Sequence, residues 1–425
     1  MKRIPVIYRD LGLPTDSDPS HHQPGHEWWF FSGLGTGLDG TIYCAPCDHR
    51  FQYTGALLLA YDPKGGAFRR LADMQAVCGQ RHCDDLMAQT KVHTRILPDS
   101  DGRLYLGTHS VERDSAPPEL MAKLARGYPG GHWIRYDPHA DACEDLGIAL
   151  PGESLMGFAL DPRRHRIYAT THTKALFLEF DIATGRTELI GSIGRYPTRM
   201  VECAADGRAY TFDEHGRVIR FDPASRQLRA LDARLPGFEG DVNFVSSFCT
   251  VVGRDGRTFY GIATAFHAQP ERAIWEKVEG SKLEVRPCHA FAYDTQDGAD
   301  GRMRTIGPSG GDTGMAVSDL QLNHAITLTR SGDALYLASL AEKPAHLMMI
   351  DVDGCSSAGR AGDERVVDLG EMWGEGEEGY VQTALAATLG LDGTVYFAGP
   401  RQYEGRYVRD PDRWRLIILR DGCWL

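Results

Sequence analysis

Residues 161–185 read DPRRHRIYATTHTKALFLEFDIATG. The stretch opens and closes on a turn rich in Asp, Pro or Gly, and RIYATTH and LFLEFD between them read as strands of a half-buried sheet. The first half recurs along the chain as a turn followed by a short run ending in Tyr. It stands at LDGTIY (38–43), SDGRLY (100–105), ADGRAY (205–210), RDGRTFY (254–260), RSGDALY (330–336) and LDGTVY (391–396). The second half recurs as LLLAYDPKGG (57–66), HWIRYDPHAD (132–141), VIRFDPASR (218–226), AFAYDTQDG (290–298), LMMIDVDG (347–354) and LIILRDG (416–422). Each pair specifies four antiparallel strands joined by hairpin turns, and a fixed repeat of such units specifies a propeller. With two cassettes in each of seven units, the expectation is an all-β, seven-bladed β-propeller of four-stranded antiparallel blades, one domain over 1–425. The opening VIYRDLGLP (6–14) is similar to the fourth-strand run ACEDLGIALP (142–151), so residues 4–11 are expected as the outer strand of the last blade, closing the ring.

Composition narrows the function classes. The 425 residues carry 46 Lys and Arg against 58 Asp and Glu, a formal charge of −12. That balance argues against a nucleic-acid partner held by a general electrostatic footprint. No apolar run approaches the roughly 20 residues of a membrane-spanning helix. MKRIPVIYRDLGLP has no continuous apolar stretch of the secretory kind, so a cytoplasmic location is expected. Ten cysteines are too dilute for a disulfide scaffold. P-loop, dinucleotide-binding and nucleophile-elbow motifs are absent, and no organic cofactor is expected.

In such a fold the short turns lie on one face and the long connections on the other, so ligand-binding side chains gather where the long connections meet the central channel. Starts of first strands and ends of second strands reach that mouth. They supply Lys91, His93, Arg199, Asn243, Asn323, His324, Tyr380, His109, His172, His267 and Arg401, with Tyr128 and His132 added from YPGGHW. His93 opens and His109 closes one hairpin, so the two are expected side by side. Imidazoles exchange protons near neutral pH, and an arginine fork such as that of Arg199 neutralises a carboxylate. Together they suit elimination beside a carboxylate, as in a uronic-acid sugar.

QTKVHTRILPDSDGRLYLGTHS (89–110), YPGGHWIRYDPHADACEDLG (128–147) and PGESLMGFALDPRRHRIYATTHT (151–173) resemble the second and third blades of the seven-bladed polysaccharide lyases, the ulvan and rhamnose–glucuronate lyases. The resemblance implies β-elimination at a uronate, with His93 and His109 in the places of the family's two histidines. The family's tyrosine falls on Met156, a departure that leaves Tyr128, Tyr196 or Tyr380 to serve in its stead, or His172 as the replacement.

Cys47, His49, Cys78 and Cys83 form a second constellation, close to Cys44 and His82, of the residue types that hold a structural zinc. The reading is therefore a carbon–oxygen lyase for a small acidic carbohydrate, with catalytic His93, His109, His172 and Arg199. The other residues at the mouth would bind substrate. Two alternatives stand beside it: a non-enzymatic propeller binding a protein or small ligand, and a lyase or isomerase for a non-sugar metabolite.

Overall fold

The computed structural model describes residues 2–11, 28–48, 55–79, 89–110, 128–195, 198–237, 242–266, 289–309, 325–339, 343–352, 364–376, 379–402 and 414–423. Among them the chain is nearly all strand, with one short helix, Met74–Val77. Four sheets have four antiparallel strands in sequence order. They are Trp28–Thr36 to Ala67–Asp73, Ser154–Asp161 to Arg186–Ser192, Glu202–Cys203 to Gln227–Arg234, and Val242–Val252 to Arg302–Pro308. A fifth sheet has the same plan with its inner strand split into Lys91–Val92 and Leu97–Pro98. A nine-stranded sheet holds Ile326–Leu328 through Trp414–Leu419 together with the N-terminal strand Arg3–Asp10. The inner strands contact one another around a ring, with Leu104–His109 making the step to Ser154–Asp161, and Ala386–Leu389 returns to Trp28–Thr36. There Thr36 Oγ1 lies 2.9 Å from Thr388 Oγ1 and donates to the carbonyl of Leu389 at 2.9 Å. The fold is a β-propeller.

The repeated residues explain the repeated shape. In the first cassette the Asp carboxylate accepts the backbone N–H two residues on, as Asp39 does from Thr41 (3.0 Å), Asp101 from Arg103 (3.0 Å) and Asp206 from Arg208 (2.9 Å). The following glycine sits at positive φ, +87° at Gly40 and +88° at Gly207, where a Cβ would be strained. The cassette tyrosines Tyr43, Tyr105, Tyr168, Tyr210, Tyr260, Tyr336 and Tyr396 are all buried. Several of them meet an aromatic of the next sheet: Tyr43 meets Tyr136 at 5.8 Å, Tyr168 meets Phe221 at 5.7 Å and Tyr210 meets Tyr293 at 5.9 Å between ring centroids. Tyr396 makes the same contact with Tyr61 at 6.3 Å, joining the last unit to the first. These contacts are the glue between sheets, because each sheet face is apolar and must be covered by its neighbour.

Ring closure follows the expectation, with the strand running Arg3–Asp10 rather than 4–11. Ile7 to Asp10 pair antiparallel with Ile418 to Arg415. The same strand begins parallel to its other neighbour, Arg3 to Val6 against Glu371 to Gly374. Ile4, Val6 and Tyr8 are buried there.

His165 shows how charge joins two sheets. Its Nδ1 lies 2.8 Å from a carboxylate oxygen of Asp99, which is itself buried. The hydrogen bond and charge of Asp99 raise the imidazole's pKa above its ordinary value. A raised folded-state pKa contributes stability that is full below the unfolded value and lost as pH climbs through the folded one. The stability advantage of the native protein over His165→Gln is expected to shrink between about pH 6 and about pH 8. Chemical denaturation at both pH values checks it, and the half-exposed ring keeps the effect under about 1 kcal/mol.

Candidate functional site

Three imidazoles meet where strand ends of two neighbouring sheets come together. His93 and His109 are fully buried, and their ring centroids are 4.4 Å apart, nearly perpendicular. His109 and His172 are 5.3 Å apart. The side-by-side expectation for His93 and His109 holds, but through a different register. Lys91, not His93, lies directly opposite His109, and Val92 opposite Thr108. The inner chain then leaves the ladder: Thr94 Oγ1 accepts the Gly107 N–H at 2.8 Å, a side chain standing in for backbone pairing. A Cβ at Gly107 would come within 2.5 Å of Leu155, so glycine permits this close approach of the neighbouring sheet. Lys91 is buried too, in the register position across from His109.

His172 ends the second strand of the next sheet and pairs with Ser154, whose hydroxyl donates to the Tyr128 phenol oxygen at 3.0 Å. Tyr128 is buried, so its phenol sits one strand from His172. Glu153 is buried and accepts from Thr171 Oγ1 at 3.0 Å and the Lys174 N–H at 2.9 Å, fixing the segment that carries His172. Met156 is buried at a bulge between Leu155 and Gly157. Beside it the Arg199 backbone packs on Gly157, where an added Cβ would stand 3.0 Å from the Arg199 carbonyl carbon. Thr170 Oγ1 donates to the Thr198 carbonyl at 2.6 Å, tying Arg199's chain to the strand that ends in His172.

Sequence reading missed an ion pair inside the ring. Arg95 leaves the inner chain of the sheet that holds His93 and forks onto both carboxylate oxygens of Glu202, at 2.9 and 3.1 Å. It also donates to the Thr250 carbonyl at 2.6 Å, and Thr250 Oγ1 donates to Glu202 at 2.6 Å. The guanidinium thereby bridges the inner strands of three sheets. The signal was present, since Arg95 stands two residues beyond His93. Glu202 is buried, so losing its arginine strands a charge. Arg95→Met is expected to cost about 3–5 kcal/mol in denaturant-induced unfolding.

Tyr380 packs against Trp373 at 5.5 Å, and the Arg401 guanidinium lies 5.7 Å from the Tyr8 ring centroid, both at the ring closure. His132 turns to Asp145, its Nδ1 2.9 Å from both carboxylate oxygens. Asn243 is described in its backbone alone, paired with Ala265. His267, Asn323 and His324 fall outside the described residues. Of the zinc expectation, His49 and Cys83 also fall outside them, and Cys47 is described only as backbone paired with Trp29. Cys44 is fully buried, and burial pushes its thiol pKa up. Cys78 is brought instead to His132 and Asp145, where sulfur, nitrogen and oxygen all lie within 4.8 Å of one another.

No protein-family model matches the chain, and no curated protein matches it significantly. Among solved structures it is similar to hydrazine synthase of Kuenenia stuttgartiensis, with 13% identity, TM-score 0.56, 90% of this chain and 96% of that one. It is similar to the WD40 repeats of RRP9, with 10% identity, TM-score 0.55 and 98% of both chains. It is also similar to a catalytically inactive histidine-to-alanine form of virginiamycin B lyase from Staphylococcus aureus with quinupristin. That match has 10% identity, TM-score 0.51, 98% of this chain and 100% of that one. At these identities the likeness is one of fold, the propeller.

Proposed function

We propose that the chain is a seven-bladed propeller lyase that eliminates the O4 substituent of a small uronic-acid-containing carbohydrate. The seven-blade count takes the nine-stranded sheet as two blades fused by the short strand Tyr380–Val381 and by the parallel pairing of Arg3–Val6. The observation that carries the chemistry is the packing of His93 on His109 and of His109 on His172, with Lys91 opposite His109 in the strand register.

In this reading the fork of Arg199 pairs with the uronate carboxylate and withdraws its charge, which acidifies the adjacent C5–H. His109, between the other two imidazoles, removes that proton. The electron pair of the C–H bond becomes the C4=C5 double bond, and the C4–O bond breaks. The departing oxygen takes a proton from Tyr128 or His172, which fills the role left open at Met156. His93, edge-on to His109, holds that ring and its protonation state. No redox partner or added water is needed for the balance. The solved propeller lyase whose histidine-to-alanine form is inactive gives a precedent for histidine chemistry on this scaffold.

The test is product formation. Incubation with a panel of uronate-containing oligosaccharides is expected to yield unsaturated uronate, read by its ultraviolet absorbance and by mass spectrometry as cleavage without water uptake. A propeller that only binds would retain such ligands and release no unsaturated product, and that result would refute the lyase reading. With the phenol as the acid, Tyr128→Phe is expected to lower kcat by about 10²- to 10⁴-fold, and steady-state kinetics separate it from His172→Ala.

A further inference from the structure

The pairing of His132 with Asp145 has a twin within the fold. His346 begins the corresponding strand of another repeat, its Nδ1 lies 2.9 Å from Asp368, and Asp368 accepts the Gly370 N–H at 2.9 Å. Asp145 accepts the Gly147 N–H at 2.8 Å in the same way. The two Asp-Leu-Gly runs are thus one structural device, an aspartate locking the outer strand to a buried histidine. The repeat containing His132 adds what its twin lacks. Cys78, half-buried at the end of the helix Met74–Val77, brings its sulfur within 4.8 Å of an imidazole nitrogen and a carboxylate oxygen of that pair. Cys143 stands two positions before Asp145, on the same face of one strand, and packs with Cys78 against the same apolar cluster. His132 is 7% exposed, and its Nε2 is buried with no hydrogen-bond partner among the described residues. A metal shared with Asp145 would take Nδ1, the nitrogen that faces that carboxylate, leaving the ring proton on Nε2.

We propose that this flank is a structural zinc site, with Cys78, His132 and Asp145 as its clustered donors and Cys143 as a second thiolate turned in from the strand that carries Asp145. Thiolate and imidazole together select zinc over hard cations. Donors on one zinc stand roughly 3.3–3.8 Å apart, so Cys78, His132 and Asp145 need only a small closure of side-chain rotamers, with Cys143 turning in from outside that cluster. The metal would pin the end of the first sheet's outer segment to the second sheet. The His132 N–H donates to Thr108 Oγ1 at 2.7 Å, and Thr108 immediately precedes His109, so the pin also steadies the strand carrying the central imidazole.

Metal analysis of the full-length protein, purified with zinc present and dialysed against metal-free buffer, is expected to find one zinc per chain. Cobalt(II) replacement is expected to give the intense thiolate-to-metal absorption and ligand-field bands of a tetrahedral site. Cys78→Ser and Cys143→Ser are expected to weaken binding by at least about 10-fold and to diminish the thiolate band. His346→Ala, which breaks the twin pair alone, is expected to keep full metal content and spectrum, which separates metal ligation from the shared structural role. Absence of zinc from the folded native protein, or binding and spectra unchanged in Cys78→Ser, would overturn the proposal. So would loss of zinc in folded His346→Ala equal to that in His132→Ala.

Discussion

Replacing His109 by alanine is expected to lower kcat for elimination by about 10²- to 10⁴-fold, the range a general base contributes, while KM changes little. The expectation rests on position. His109 is the imidazole with a ring neighbour on both sides, His93 at 4.4 Å and His172 at 5.3 Å, and it faces Lys91 across the ladder. A base in that position acts in the transition state and contributes little to ground-state binding, so its loss falls on kcat. His109→Gln keeps most of the side-chain volume and guards against a cavity effect, because the native ring is fully buried. Both variants should unfold cooperatively near the native midpoint. A turnover within about threefold of native in either folded variant would remove His109 from the mechanism, since that is below any general-base contribution.

Deletion of residues 1–11 is expected to abolish cooperative folding of the whole ring. The segment buries Ile4, Val6, Tyr8 and Leu11. At roughly 1.5–3 kcal/mol for each large apolar side chain, its contribution approaches the 5–15 kcal/mol by which a typical protein is stable. It also closes a circle of five strands, pairing with Trp414–Leu419 on one side and Arg365–Gly374 on the other. Removing it exposes two strand edges at once, and exposed edges aggregate. The measurement is calorimetry on the soluble fraction of the truncated protein. A single sharp transition within a few degrees of native would contradict this account of closure.

The propeller was legible because its information is local and repeated. An Asp at a fixed place makes each turn, a Gly after it takes positive φ, and a Tyr after that fills the gap between sheets. Ring closure was legible for a similar reason: RDLG near the N-terminus copies EDLG at 144–147, and the structure gives the run a physical task, with Asp10 3.4 Å from Arg415 where Asp145 meets His132. The grouping of His93, His109 and His172 followed from strand ends alone. What stayed hidden depends on departures from regular strand geometry or on contacts across the ring. The chain slips out of register at His93, so Lys91 takes the place opposite His109. Arg95 finds Glu202 across 107 residues of sequence, which no repeat encodes. His132 was expected with the other imidazoles because it lies near the mouth in sequence; its ring turns aside because Asp145 accepts its proton. Cys78 was expected beside Cys47, His49 and Cys83, and its described neighbours His132 and Asp145 come from the following sheet.

Nitrogen-15 NMR of the histidine-labelled protein during titration with glucuronate tests the mechanism at its root. The account predicts that the ring resonances of His93, His109 and His172 move together and saturate at one ligand concentration, that His165 and His346 stay still, and that Arg199→Ala weakens the response. Saturable binding of glucuronate that leaves those three imidazoles unmoved would contradict it.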